Sequence, residues 1–250
     1  MTIWRKALIF VVWALTLIFA IFHPKMANSL VLLALSVTVF IIFSCPSPTV
    51  DPEILRQDKL RTLAKKVQLQ FKPDRDSRLA DQYFALTWMQ HGEMRYAYNV
   101  FRGHYSGHEV LIFDYRFTVI ASGSRGSPAS QDYYYSVYIL QMKGHFPKLI
   151  ITRENLGSRL IEALIKPDIH FESSEFSKGF RVRSDDRKFG YDVCNPRMME
   201  YLLTNKDLNI EIEGSTLAIM FETWLHPADV EKNISRLIQL RKLMPDFLFT

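Results

Sequence analysis

The first fifty residues contain no aspartate or glutamate and only three basic residues, Arg5, Lys6 and Lys25. Cysteine is nearly as scarce, with Cys45 in this stretch and Cys194 far downstream. Two such residues make neither a disulfide framework nor a thiolate metal site, and they fit a reducing compartment. Set the first fifty residues aside and the net charge of +5 almost disappears, leaving 28 basic residues against 26 acidic ones. A dedicated nucleic-acid binder needs a strong basic face, so nucleic acid is excluded as an expected partner. Internal repeats and long low-complexity tracts are also missing.

What the N-terminal region does contain is two apolar runs, ALIFVVWALTLIFAIF (7–22) and SLVLLALSVTVFIIFS (29–44), separated by HPKMAN. Each run is 16 residues long, somewhat short of the ~20 that a bilayer core requires. Flanking residues extend them, with Trp4 suited to the interfacial belt and Arg5 and Lys6 able to snorkel to headgroups. The expected spans are about 4–22 and 28–45. A six-residue connection containing Pro24 joins only antiparallel neighbours, so residues 1–48 are predicted to form a transmembrane helical hairpin. A cleaved signal would need a small-x-small site, which FAIFHPKM lacks. A lipid-accepting Cys45 would follow bulky Phe43 and lie unusually deep in the chain. Basic residues gather before the first run and after the second, so both termini are expected in the cytoplasm.

The rest of the chain, long enough for one sizeable domain, reads as α+β. Asp51-Pro52-Glu53 is a helix-start signal, and Leu60, Leu63, Ala64, Val67 and Phe71 follow at helical spacing. Residues 49–76 are therefore expected to form a basic juxtamembrane helix and linker. Its Arg56, Lys59, Arg61, Lys65 and Lys66 are candidates for contact with anionic headgroups. Residues 77–250 are expected to form a cytoplasmic domain in which a mainly antiparallel sheet is covered by helices, ending in a C-terminal helix. A helical stretch at 77–90 comes first. Tyr96, Tyr98 and Val100 then alternate toward a tight turn at 104–108. The return run places Phe113, Tyr115, Phe117 and Val119 on one face and Asp114, Arg116 and Thr118 on the other, as in a half-buried hairpin. Strands in QDYYYSVYILQM and FPKLIIT complete a predicted four-stranded meander. A short helix at 155–165, a helical region over 184–203, a hairpin turning at Glu213-Gly214 and a helix from Pro227 follow.

Chemistry is hard to find. His104 and His108 are weak metal candidates, with His91, Glu93 and Glu109 near them in sequence, but both histidines flank the predicted turn, where polar residues are expected anyway. The loop GSRGSPAS lacks the Gly-Lys-Ser/Thr ending of a phosphate cradle. Asp185 and Asp186 are explained by helix capping, Glu172 by strand alternation, and Cys194 by core packing. No catalytic residues and no cofactor are assigned. The four tyrosines Tyr133, Tyr134, Tyr135 and Tyr138 place aromatics on both faces of one strand and mark a candidate partner surface.

The segments RGHYSGHEVLIFDYRF, QDYYYSVYILQM and DIHFESSEFSKGFRVRSDDRKFGYDVCNPRMMEYLL, followed by the terminal hairpin and helix, resemble in order an uncharacterised family of bacterial membrane-anchored proteins. The resemblance implies two N-terminal spans and a C-terminal domain, and no residue roles. The expectation is a two-span inner-membrane protein carrying a non-enzymatic cytoplasmic interaction module. Its expected partners are the lipid bilayer and another membrane protein. Recognition of anionic lipid or peptide is the first alternative, and a metal-dependent hydrolase using His104, His108 and Asp114 is the second.

Overall fold

The computed structural model describes residues 3–22, 31, 35, 37–38, 51–122, 128–153 and 168–250. The chain divides into two compact units, Met1–Leu55 and Arg56–Thr250.

In the first unit, α1 (Ile3–Phe22) is a helix of 20 residues. Arg5 and Lys6 occupy its first turn, so its uncharged part runs for 16 residues, or ~24 Å at 1.5 Å per residue. Among the described residues, no helix is long and apolar enough to cross a membrane. The Trp13 indole N–H donates to Thr38 Oγ1 at 3.2 Å, which joins the middle of one apolar run to the middle of the other. Most of the expected span at 28–45 lies outside the described residues.

Helix α2 (Pro52–Lys66) starts where its sequence signal says it should. The Asp51 carboxylate accepts the Glu53 N–H at 2.9 Å, proline opens the first turn, and Lys65 and Lys66 complement the dipole of the last. Leu60 and Ala64 are buried in a hydrophobic core, so residues 56–76 pack as part of the second unit.

That unit is built on one antiparallel sheet of six strands: β1 (Gln70–Lys72), β2 (Glu93–Tyr105), β3 (His108–Ser122), β4 (Pro128–Arg153), β5 (Phe180–Ser184) and β6 (Asn209–Phe221). β2 and β3 meet at Ser106-Gly107, where φ is 49° and 81°, the double positive φ of a type I′ hairpin turn. The surprise is the relation between β4 and β6. A straight strand from Asn209 to Met220 would span ~36 Å. Instead Asn209 Nδ2 lies 3.5 Å from the Met220 carbonyl, and Arg236 grips both Asp207 and the Phe221 ring. β6 therefore doubles back at Gly214, where φ is 59°, as the Glu213-Gly214 signal predicts.

Its second arm pairs with β4 over Ser136–Gln141, and its first arm pairs with β4 over Leu149–Ile151. The two halves of β4 thus flank the doubled β6, and the chain wraps around its tip near Gly144, with His145 packed over Gly214. This corrects the expected four-stranded meander. QDYYYSVYILQM and FPKLIIT belong to one long strand element, and its halves are separated by a hairpin contributed from some 60 residues downstream.

Both sheet faces are covered. On one, Leu60, Phe101, Ile112, Tyr138, Ile210 and Ile219 pack beneath α2 and the C-terminal helix α7 (Val230–Leu243). α7 buries Val230, Ile234, Leu237 and Ile238 along the stripe visible in its sequence. On the other, Leu86, Trp88, Phe113, Tyr115, Phe117 and Met220 pack beneath α3 (Ser77–Gln82) and a 3-10 helix (Thr87–Gln90). The half-buried hairpin is corrected accordingly: Asp114 and Thr118, expected at the water-facing side, are 0% and 2% exposed.

Short helices α4 (Ser174–Gly179), α5 (Arg187–Val193) and α6 (Pro196–Thr204) complete the unit. The single helical region expected over 184–203 is split because Asn195-Pro196 starts a new helix, with the Asn195 side chain capping Met198 N. The helix expected at 155–165 and residues 123–127 of the GSRGSPAS loop lie outside the described residues, while Pro128, Ala129 and Ser130, expected in that loop, already belong to β4.

Candidate functional site

The register of β2, β3 and β4 sets side chains in rows. Tyr98, Asp114 and Ser136 are cross-strand partners, and the next row is Tyr96, Arg116 and Tyr134. Both rows lie on the sheet face that α2 begins to cover, and the helix start places Arg56 directly over Asp114.

Asp114 is a buried carboxylate with every oxygen engaged. Oδ1 accepts the Leu225 N–H at 2.7 Å, and Oδ2 accepts Asn99 Nδ2 at 2.8 Å and Arg56 Nη1 at 2.9 Å. Burial pushes its pKa up, and Arg56, Asn99 and the Leu225 amide oppose that shift. The same Arg56 nitrogen donates to the Leu225 carbonyl at 3.1 Å. Asn99 sits at φ 51°, a strained value that Asn tolerates better than most residues. One carboxylate thus ties α2, β2, β3 and the 222–226 loop together.

Beyond α2 the covering ends, and the sheet face is finished with aromatics and guanidinium groups. The Arg56 Cζ lies 5.9 Å from the Tyr98 ring and 5.8 Å from Trp224. Trp224 meets Tyr134 edge-on at 5.1 Å, and Arg116 lies over both Tyr134 and Tyr96. Tyr96 contacts Tyr98 at 5.6 Å, which closes the ring of contacts, and Arg75 stacks on Tyr96 from outside at 4.8 Å. Trp224 is 50% exposed. Arg116 also pairs with Asp132, whose pKa is lowered by that contact.

A second buried carboxylate, Glu211, lies on the opposite face. Its Oε1 accepts both the Thr87 N–H at 2.7 Å and the Thr87 hydroxyl at 2.8 Å, with Lys148 Nζ 3.5 Å away. Its Oε2 is buried without a hydrogen-bond partner. Burial raises the pKa of this acid to about 6, against the pull of the Thr87 donors and Lys148.

A concavity of about 570 Å³ opens between the 170–173 segment, α5, the start of α6 and the C-terminal segment. Phe171, Cys194, Met199 and Phe247 supply apolar walls, and His170, Glu172, Asp192 and Asn195 supply polar ones. Burial raises the Cys194 thiol pKa, so the sulfur stays protonated and unreactive. Asn195 is occupied by capping and by a bond from Nδ2 to the Leu243 carbonyl at 2.9 Å.

The residues singled out from sequence fall in separate places. Of the five basic residues of α2, Arg56 pairs with Asp114, Arg61 stacks on Phe71 and Lys66 pairs with Glu231, while Lys59 and Lys65 are exposed. Tyr133 and Tyr135 stack on Phe117 in the opposite core, and Tyr138 is buried against Phe221, so Tyr134 alone of the four joins the exposed ring. His104 and His108 flank the β2–β3 turn, whereas His91 precedes the far end of β2, ~40 Å away by strand length. Asp114 lies six residues along β3 from His108, or ~20 Å, so the three side chains of the hydrolase reading do not converge. Among the described residues, no group of three or more His, Cys, Asp or Glu is placed to hold a metal ion. Asp186 caps α5 by accepting the Lys188 and Phe189 N–H groups, and Ser173 caps α4 by accepting that of Phe176. Sequence reading passed over Trp224, Arg75 and Glu211. The first two lie in loops, outside the reach of strand alternation, and only the shared parity of Tyr96, Tyr98, Arg116 and Tyr134 could be read from sequence.

No family model matches the chain, and no curated protein matches it. Among solved structures, the chain is similar to the mycobacterial trehalose monomycolate transport factor A, TtfA, with a TM-score of 0.51 and 14% identity over 76% of this chain and 96% of that one. Identity this low conveys a fold and no residue roles, so the resemblance supports the α+β architecture alone.

Proposed function

We propose that this chain is a two-span membrane-anchored interaction module, with both termini and the sheet unit at the cytoplasmic face of the inner membrane. The observation that carries the anchor is the Trp13–Thr38 hydrogen bond. The two residues are equidistant from the midpoint of HPKMAN, as partners across an antiparallel helical hairpin must be. In hydrocarbon a Trp N–H and a Thr hydroxyl gain from each other what water would otherwise supply. The uncharged 16-residue stretch of α1 is preceded in sequence by Trp4, Arg5 and Lys6, residue types suited to the edge of a bilayer.

The use made of the buried acids supports a binding role over a catalytic one. Asp114 and Glu211 each brace separate elements, and neither is among the residues lining the groove. Anchoring raises the effective concentration of the module for anything at the same membrane.

A cysteine pair tests the anchor. In a Cys45→Ser background, Trp13→Cys with Thr38→Cys should be joined within one chain by a short bifunctional maleimide in native membranes. Trp13→Cys with Val31→Cys should not be. Equal yields for both pairs would remove the hairpin register. A reporter fused after Thr250 that works only outside the cytoplasm should stay silent, and activity there would remove the orientation.

A further inference from the structure

We infer that the concavity beside α5 is a binding site for a small organic ammonium ion, with the charged nitrogen between Asp192 and the Phe247 ring and the apolar body against Phe171, Tyr191 and Met199. Every wall belongs to the sheet unit, so the inference goes beyond the membrane role proposed above and does not depend on it.

Size and lining are the first argument. About 570 Å³ is the volume of a small-molecule site, and apolar walls with a few polar groups are the usual make-up of one. Three of the walls are aromatic, Phe171, Tyr191 and Phe247. Tyr191 and Phe247 stay 43% and 58% exposed although both are large.

Charge is the second. The acidic walls are Glu172 and Asp192, and among the described residues no lysine or arginine lines the concavity. Arg187, Lys188 and Arg197, the basic residues nearest in sequence, are exposed and are not among its walls. Carboxylates beside aromatic faces favour a cation over an anion, because the negative face of a ring and a carboxylate attract the same sign of charge.

The third is that the chain already places an ammonium group at this rim. Lys188 Nζ lies 2.7 Å from Asp192 Oδ2 and 5.7 Å from the centre of the Phe247 ring, so carboxylate and ring share one cation. The Lys188 side chain is 80% exposed. An ion pair this open to water holds its lysine weakly, and a cation whose apolar body fills the concavity displaces it.

Construction is the fourth. The Tyr191 hydroxyl donates to the His170 carbonyl at 3.2 Å, and its ring meets Phe171 edge-on at 5.2 Å. Phe171 is fixed in turn by the Ser177 hydroxyl, which donates to its carbonyl at 3.2 Å, and by the buried Phe176 ring. These walls are set before a ligand arrives.

The test follows isotope-labelled methionine methyl groups by NMR in the full-length chain, reconstituted in phosphatidylcholine nanodiscs, with benzyltrimethylammonium as the probe. Met199 lines the concavity, and the exposed Met94 on β2 is the control. The Met199 signal should shift and saturate at millimolar probe while Met94 stays in place. Phenylacetate, similar in shape and opposite in charge, should move neither. Asp192→Asn should weaken binding at least about threefold, and Lys188→Ala, which removes the tethered competitor, should tighten it by about the same factor. Glu172→Gln changes an exposed side chain and should also weaken binding, with the remaining methyl signals unmoved. A merely structural role for the Lys188–Asp192 pair would not give opposite signs at its two ends. Absence of a saturable Met199 shift, an equal response to phenylacetate, or unchanged or weaker binding in Lys188→Ala overturns the inference.

Discussion

Leu225 donates its backbone N–H to Asp114 Oδ1 at 2.7 Å across 111 residues of sequence, and Arg56 closes the same carboxylate from the other side across 58. The three positions come from the C-terminal loop, the centre of β3 and the start of α2. Three parts of the sheet unit that are distant in sequence, and the presentation of Trp224 beside Leu225, therefore depend on one buried charge.

Removing that charge should be costly, and unequally so from its two sides. Asp114→Ala strands the Arg56 guanidinium, the Asn99 amide and the Leu225 N–H, with an expected loss of about 3–5 kcal/mol. Arg56→Ala leaves the carboxylate with two of its three donors and should cost less, about 2–3 kcal/mol. Denaturant unfolding of the two variants measures the order. In both, hydrogen exchange at Leu225 should speed up.

Glu211 makes stability depend on pH with a definite sign. Its folded-state pKa of about 6 lies above the ordinary 4.5, so between those values the folded state holds the proton more often than the unfolded state does. Its contribution is therefore favourable at low pH and is lost as pH rises through 6, with a limiting size of about 2 kcal/mol. Glu211→Gln keeps an acceptor for Thr87 and cannot ionise. The difference in stability between wild type and this variant should shift in favour of the variant as pH goes from 5 to 8, and a flat difference would contradict the assignment.

Two glycines with positive φ separate backbone strain from collision. A Cβ on Gly92 would come within 2.3 Å of the Phe117 ring and 2.8 Å of the Thr118 carbonyl, at φ 70°. A Cβ on Gly107 would meet nothing within 4 Å, at φ 81°. Gly107→Ala should cost about 1 kcal/mol for conformation alone. Gly92→Ala should cost roughly 2 kcal/mol more, because β3 must shift or Phe117 must leave its rotamer. Thermal unfolding of the pair gives the difference.

Asn195 serves both ends of its side chain, as acceptor for Met198 N at 3.1 Å and as donor to the Leu243 carbonyl at 2.9 Å. Asn195→Asp retains the cap and loses the donor. Asn195→Ala loses both and should cost about 1–2 kcal/mol, the larger of the two losses. Urea midpoints of the two variants check the order.

What could be read in advance follows the range of the interactions involved. Asp51-Pro52, Asp186, Ser106-Gly107, Gly214 and the stripe of Val230, Ile234, Leu237 and Ile238 are local signals, each decided within a few residues, and each forms as its sequence indicates. The insertion of β6 between the halves of β4 is decided by pairing across some 60 residues, and both halves are apolar enough to sit beside either neighbour. Asp114 was misplaced for the same reason. Alternation along β3 correctly separates its two faces, but it does not reveal that a helix and a loop from either end of the unit will bury the second one. The run of tyrosines at 133–135 drew attention for its density, yet position parity decides the outcome: Tyr133 and Tyr135 turn into the core around Phe117, and Tyr134 turns toward Trp224.

The central claim is that lipid, through the two apolar runs, holds this chain at the membrane. Alkaline carbonate washing of membranes containing the intact protein tests it most directly. The chain should remain in the pellet at high pH, as a chain held by two apolar spans does. Its appearance in the wash would contradict the claim.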